Sequence, residues 1–300
     1  MGFFDKLVVW SIPFVPKPIV GFFSKKYIAG SKLEDAVRKV QELNKQGMMA
    51  TLDLLGEESQ SKEKAEEAVA EYFKMLEIID EYKLDSNISI KPTQMGLFID
   101  KEYCFQNVEK IVREAKKYNN FVRIDMEDHT ATSDTIEFYL RLKEKYGKHV
   151  GTVIQAYLRR TSADINGLLE HKANLRLCKG IYVEPRAIAY KDMSIINENY
   201  KFNLKKLLSN DCYVGIATHD EKLVWYALSL IEEQQLKHEK YEFQMLLGVD
   251  EELRKIIIDG GHRLRVYVPY GKDWYPYSVR RLKENPKMAG YVFRNIFGLR

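Results

Sequence analysis

From about residue 47 onward, two hydrophobic periods take turns along the chain. Short runs rich in β-branched and aromatic residues predict strands at 48–54, 88–91, 121–125, 150–156, 175–178, 213–217, 241–246 and 265–268. Between them, apolar residues recur every three to four positions. Ala65, Val69, Tyr72, Leu76 and Ile79 form one such stripe, and Val108, Ile111, Val112 and Ala115 form the next. Further helices are predicted over 133–146, 162–171, 195–208, 221–234 and 251–258, and over the segment after Gly271. Eight alternating strand–helix units joined by short loops imply parallel strands, and eight of them imply a closed (β/α)8 TIM-like barrel. An open doubly wound sheet would need a phosphate loop, but the chain contains neither G-x-G-x-x-G nor G-x-x-x-x-G-K-[ST].

The first 46 residues do not share this alternation. Phe3 to Ile28 is apolar but broken by Pro13, Pro16 and Pro18 and by several lysines, too interrupted for a spanning helix. It lacks the small-residue cleavage site of a secretory signal. Residues 1–46 are therefore expected to form an N-terminal helical cap and residues 47–300 the barrel, a single domain overall. A surface that touches a membrane is the second reading of this segment.

Bulk composition narrows the functional classes. A hydrophobic fraction of 45% in 300 residues supports a large core. Net charge is only +4, with lysines and arginines dispersed over amphipathic helices, so no nucleic-acid partner is expected. Cys104, Cys178 and Cys212 stand apart without C-x-x-C spacing, which points to a reducing cytosol and against disulfides or structural zinc.

In a barrel the carboxyl ends of the strands surround the active site. Here they offer Asp53, Lys91, Asp125 with Glu127, Gln155, Arg176 with Lys179, Thr218-His219, Glu242 with Gln244, and Tyr267. Donors dominate, a set suited to holding carboxylates or phosphates, or to stabilising negative charge on a reduced ring. No H-E-x-x-H occurs, no metal is expected, and His219 reads as a hydrogen-bond donor or a helix cap. Lys91 or Lys179 could form a Schiff base, although Asp125 and Glu127 nearby favour ion pairing. The last unit adds Asp273 as a helix N-cap, Pro276 in the first turn, and Tyr277, Arg280, Arg281 and Glu284 on one helix face. Paired arginines beside Tyr267, Trp274 and Tyr277 suit a small carboxylate with an apolar skeleton; a solvated helix face with a Glu–Arg pair is the plain alternative.

Several stretches, in order, resemble the proline dehydrogenase family in its monofunctional bacterial form. They include Ser89-Ile-Lys-Pro-Thr-Gln-Met-Gly96, Val122-Arg-Ile-Asp-Met-Glu-Asp128, Leu175-Arg-Leu-Cys-Lys-Gly-Ile-Tyr182, Ala217-Thr-His219 and Tyr241-Glu-Phe-Gln-Met-Leu-Leu-Gly248, together with the arginine helix. The resemblance runs from about Ala29 to the end. It implies FAD-dependent oxidation of L-proline to Δ1-pyrroline-5-carboxylate by hydride transfer to flavin N5, with electrons passed to a quinone and the product to a separate pyrroline-5-carboxylate dehydrogenase. The implied catalytic residues are Lys91, Asp125, Tyr267, Arg280 and Arg281. Tyr182, Leu246, Tyr277 and Glu284 would complete the proline site, with Glu284 paired to an arginine and Asp125 holding Lys91. Gln155, Arg176, Lys179, Thr218, His219 and Gln244 would hold the flavin. The implied location is the cytoplasm, peripheral to the inner face of the cell membrane, with the apolar N-terminus and Met288 to Phe297 as contacts. Two departures stand out: Ile181 replaces a small residue of the bifunctional relatives, and the Tyr267–Tyr277 loop is shorter.

Other readings remain: a barrel lyase or aldolase using Lys91 or Lys179, a flavin-free binding or interaction protein, or a flavoenzyme for another cyclic or N-alkylated amino acid, with Tyr277 and the aromatic wall as the discriminating positions.

Overall fold

The computed structural model describes residues 17–56 and 58–284, with only the backbone course at 18, 19, 22, 23 and 280–284. Its core is a closed barrel of eight parallel strands in sequential order. These are β1 (Met49–Leu54), β2 (Ser86–Ile90), β3 (Val122–Ile124), β4 (Val150–Gln155), β5 (Asn174–Cys178), β6 (Tyr213–Ala217), β7 (Tyr241–Leu246) and β8 (Leu264–Tyr270). β1 closes the ring on β8, pairing Met49 with Arg265 through to Leu54 with Tyr270.

The helices are α1 (Lys17–Ser24), α2 (Leu33–Lys45), α3 (Lys62–Glu81), α4 (Lys101–Lys117), α5 (His129–Tyr146), α6 (Thr161–Leu169), α7 (Met193–Leu208), α8 (Glu221–Glu233), α9 (Glu251–Asp259) and α10 (Trp274–Glu284). Most begin where an acidic or hydroxyl side chain satisfies an orphan amide. Ser61, Asp100, Asp128, Asp192, Asp220 and Asp250 all accept from backbone N–H groups in the first turn. The Asp128 cap starts α5 four residues before the expected Ser133.

Outward strand residues such as Leu52, Ile88, Ile90, Val122 and Ile124 pack with the helices in one continuous core. Many of the inward residues are polar. Tyr267 on β8 donates to Asp125 just past β3, and Arg176 on β5 reaches Ser89 on β2, bonds that cross the barrel lumen. A lumen built this way is stable only if its polar groups satisfy one another.

Pro269 does not end β8 as the sequence suggests. The strand runs on to Tyr270, because a parallel edge needs no amide from this position toward β1, and the Pro269 carbonyl accepts from Ala29 N at 2.9 Å. The first and last helices divide an unusual arrangement. α2 packs against β8 and β1, burying Leu33, Ala36, Val37, Val40 and Leu43 in the main core. α10 packs instead on α1, with Tyr277 joining Tyr27, Ile28 and Leu55 in a small apolar cluster. The helix that follows the last strand is thereby placed over the barrel mouth.

Candidate active site

A cavity of about 800 Å³ opens at the carboxyl ends of the strands. Its walls bring together Lys91, Asp125, Gln155, Arg176, Lys179, Tyr182, Thr218, His219, Gln244, Leu246, Tyr267 and Tyr277, residues drawn from seven strands or the loops that follow them and from α10. Arg280, Arg281 and Glu284 lie on α10, but their side chains are outside the described residues. The expected apolar contacts at 1–16 and 288–297 also lie outside them.

Two ion pairs organise the floor. Lys91 pairs with Asp53, whose carboxylate is 1% exposed. Burial pushes the Asp53 carboxyl up, against the downward pull of the Lys91 ammonium. The sequence assigned Lys91 to Asp125, but Asp125 is fully engaged elsewhere. It accepts from Arg176 Nη1 at 2.7 Å, Tyr267 OH at 2.8 Å and Ser89 Oγ at 3.1 Å. Burial and the neighbouring carboxylates hold the Tyr267 hydroxyl well above its usual range, keeping it a donor. Arg176 also lies 5.3 Å from the centre of the Tyr267 ring, a cation–π distance.

Glu127, the other expected neighbour of Lys91, accepts from Thr93 N and Thr93 Oγ1 at 2.8 and 2.6 Å. Burial pushes its carboxyl up. These bonds fix the turn after β2 and leave Asp53 as the carboxylate that holds Lys91.

Around the rim, Lys179 pairs with Asp220 at 2.7 Å, so one aspartate both caps α8 and anchors a site cation. Asp220 thus takes the capping role expected of His219. His219 Nε2 instead accepts from Leu246 N at 2.9 Å, tying the end of β7 to the β6 loop and placing the ring proton on Nδ1. Gln155 donates to the carbonyls of Met126 and Glu127, while its Oε1 is buried without a hydrogen bond among the described residues.

Tyr182 sits on the loop between β5 and α7, against a cluster of Tyr157, Leu158, Ala189 and Ile196. Two features shape this loop. Gly180 has φ +106°, and a Cβ there would stand 2.1 Å from Tyr157. Glu184, 4% exposed, accepts from His129 N at 2.8 Å, latching the loop to the start of α5. Neither Glu184 nor Asp53 was singled out for these partners by the sequence pattern; Asp53 was marked only as a polar strand end.

Glu242 departs furthest from expectation. It starts β7 at the opposite end of the barrel and accepts from Arg265 and Tyr213, both at 2.7 Å. It does not line the mouth.

Residues 36–294 match the family described as proline dehydrogenase. The chain belongs to that family. Proline dehydrogenase 1 of Bacillus subtilis is 38% identical over 273 residues, 91% of this chain and 90% of that protein. Proline dehydrogenase of Deinococcus radiodurans is 35% identical over 277 residues, 91% and 89% of the two chains. Among solved structures, proline utilization A from Bdellovibrio bacteriovorus, inactivated by N-propargylglycine, superposes with a TM-score of 0.83 at 26% identity. The match covers 88% of this chain but 32% of that one, so the chain spans about a third of the larger protein. Bradyrhizobium japonicum proline utilization A shares the fold, at a TM-score of 0.73 and 21% identity. The family members of similar length, and not the longer chains, are the relevant functional comparison.

Among the described residues no helix is long and apolar enough to cross a membrane, and no group of three or more His, Cys, Asp or Glu is placed to hold a metal.

Proposed function

We propose that this proline dehydrogenase family member oxidises L-proline to Δ1-pyrroline-5-carboxylate with FAD, the first step of proline catabolism. The observation that carries this reading is the convergence of two partly buried ion pairs, Lys91–Asp53 and Arg176–Asp125, on one cavity walled by Leu246, Tyr267 and Tyr277. Lys91 supplies a fixed cation for the substrate carboxylate, joined by Arg280 and Arg281 from α10. Leu246, Tyr182, Tyr267 and Tyr277 would flank the pyrrolidine ring, and the family resemblance would give Glu284 the role of partner to one of the arginines. Anchoring the carboxylate orients the reacting carbon, which lowers the entropy cost of the step.

The residues present fit a flavin dinucleotide. Such a cofactor is rich in acceptors, and Arg176 and Lys179 present cations into the same cavity. Gln155 adds a buried carbonyl oxygen that has no hydrogen bond among the described residues, ready for a ring N–H. Thr218, His219 and Gln244 would hold the rest. FAD, when bound, supplies the hydride-accepting centre at N5. Arg176, held in place by Asp125, would supply a fixed positive charge beside a bound flavin and so favour its reduced form. The ammonium of Lys91, bound to a buried carboxylate, acts as a charge and not as a nucleophile, which disfavours the lyase reading.

Electrons would pass to a membrane quinone, with the chain in the cytoplasm and peripheral to the inner face of the membrane. The product would pass to a separate pyrroline-5-carboxylate dehydrogenase. The deciding experiment is an anaerobic absorbance spectrum before and after L-proline. Bleaching of a flavin spectrum supports the whole reading; an unresponsive flavin removes proline as substrate. A colourless protein that cannot be reconstituted with FAD overturns the reading.

A further inference from the structure

Gln244 lies between two charges inside the barrel. Its Nε2 donates to Glu242 Oε1 at 2.6 Å, and its Oε1 accepts from Arg176 Nε. A carboxylate can only accept, so an ionised Glu242 dictates which end of the amide faces it, and the carbonyl end is left for Arg176. Glu242 is ionised by construction. Burial opposes its charge, but the guanidinium of Arg265 and the hydrogen bonds from Arg265, Tyr213 and Gln244 hold its carboxyl down at about 2.

A second device acts on the same amide. Gly215 on β6 stands beside it, and a Cβ at that position would lie 2.5 Å from Gln244 Nε2 and 2.8 Å from its Cδ. Gly215 pairs with Glu242 across the β6–β7 ladder, so the open space sits where the amide must pass. Charge fixes the orientation of Gln244 and the missing side chain fixes its place. Arg176 is then held at Nε by Gln244, at Nη1 by Asp125 and at Nη2 by Ser89. Three directions of contact determine a planar guanidinium completely.

We propose that Glu242, at the amino end of β7 and remote from the mouth, is a positioning residue that sets the guanidinium of Arg176 through the amide of Gln244. The relay deepens the flavin reading above, since Arg176 is its output. Without the carboxylate the amide can turn over, presenting an NH2 group to the Arg176 N–H. That contact is repulsive, and Arg176 would rotate away, keeping only its Asp125 bond.

The test uses Glu242→Gln and Gly215→Ala, each alone and combined with Arg176→Lys. Gly215→Ala removes no charge and carries the test if Glu242→Gln does not fold. In the flavin-free protein, the Arg176 Nε–H resonance in nitrogen-resolved NMR reads the bond to Gln244 directly. It is expected to exchange slowly with solvent in the wild type and rapidly in both variants. In the FAD-loaded protein, kcat for L-proline is expected to fall about tenfold while KM stays within about twofold, because the Lys91–Asp53 pair is untouched. The reduced-to-oxidised flavin ratio at fixed potential should also fall about tenfold, roughly 30 mV. The kcat and flavin-ratio losses should vanish in the Arg176→Lys background, where the relay has no output. Additive losses, or a lowered melting temperature with kcat and the Nε–H signal unchanged, overturn the proposal. A wild-type protein that binds no flavin overturns the functional reading alone, since the flavin-free NMR result still decides the relay.

Discussion

Asp53 and Lys91 stand on and just beyond adjacent strands, and their ion pair places a carboxylate only 1% exposed beneath a cation that lines the cavity. The register sets Asp53 beside Ser89, two residues before Lys91. The lysine therefore reaches back toward the barrel floor for its counter-charge and cannot swing freely into solvent.

Asp53→Asn removes that counter-charge and leaves the ammonium mobile. The expected outcome is a fall in kcat/KM for L-proline of about 10- to 100-fold, the worth of one charged hydrogen bond, with flavin content unchanged. Steady-state kinetics beside the flavin-to-protein absorbance ratio checks it, and an unchanged KM would place Lys91 outside the carboxylate site.

Arg281→Met should raise KM for L-proline by roughly two orders of magnitude while flavin stays bound, as loss of a bidentate guanidinium–carboxylate contact implies. Loss of the flavin in this variant would assign Arg281 to the cofactor side.

Gly180→Ala tests the loop that carries Tyr182. At φ +106° any other L-residue is strained, and its Cβ would collide with Tyr157. A loss of stability on the order of 1–3 kcal/mol in urea unfolding is expected, with a raised KM from displacement of Tyr182. A variant as stable as the parent would show that the loop adopts another path.

Acid sensitivity should map to the barrel interior. The folded-state carboxyl of Glu242 is depressed from its ordinary value near 4.5 to about 2. A depressed acid stabilises the fold above its unfolded value and loses that contribution as pH falls through the folded value. Unfolding free energy should therefore decline between about pH 4.5 and about pH 2, and the decline should be shallower by up to one proton in Glu242→Gln. Equal slopes in the two proteins would mean that Glu242 is not the group titrating.

Most of this architecture is written locally. The alternation of periods placed all eight strands to within two residues at each end, because strand and helix spacings differ sharply and the linking loops are short. Pairings were harder to read. Lys91 lies between Asp53 and Asp125 in the strand order, and only the register shows that Arg176 and Tyr267 claim Asp125. Glu242 and Gln244 share one strand face, since side chains two apart point the same way, yet one lies at the floor and the other lines the mouth. His219 looked like a cap because it stands two residues before α8, but Asp220 is one residue nearer and is the stronger capping group. Glu184 gave no local signal, since its partner His129 lies 55 residues away.

The placement of α2 over both β1 and β8 has a consequence for biosynthesis. This helix is made early, but it rests on the last strand, Leu264–Tyr270, as well as on β1. At about 5–20 residues per second, roughly ten seconds or more separate the two on the ribosome. Throughout that interval Val37 and Val40 face an unfinished wall, so the nascent chain offers chaperones an apolar helix from nearly its first emergence until the barrel closes.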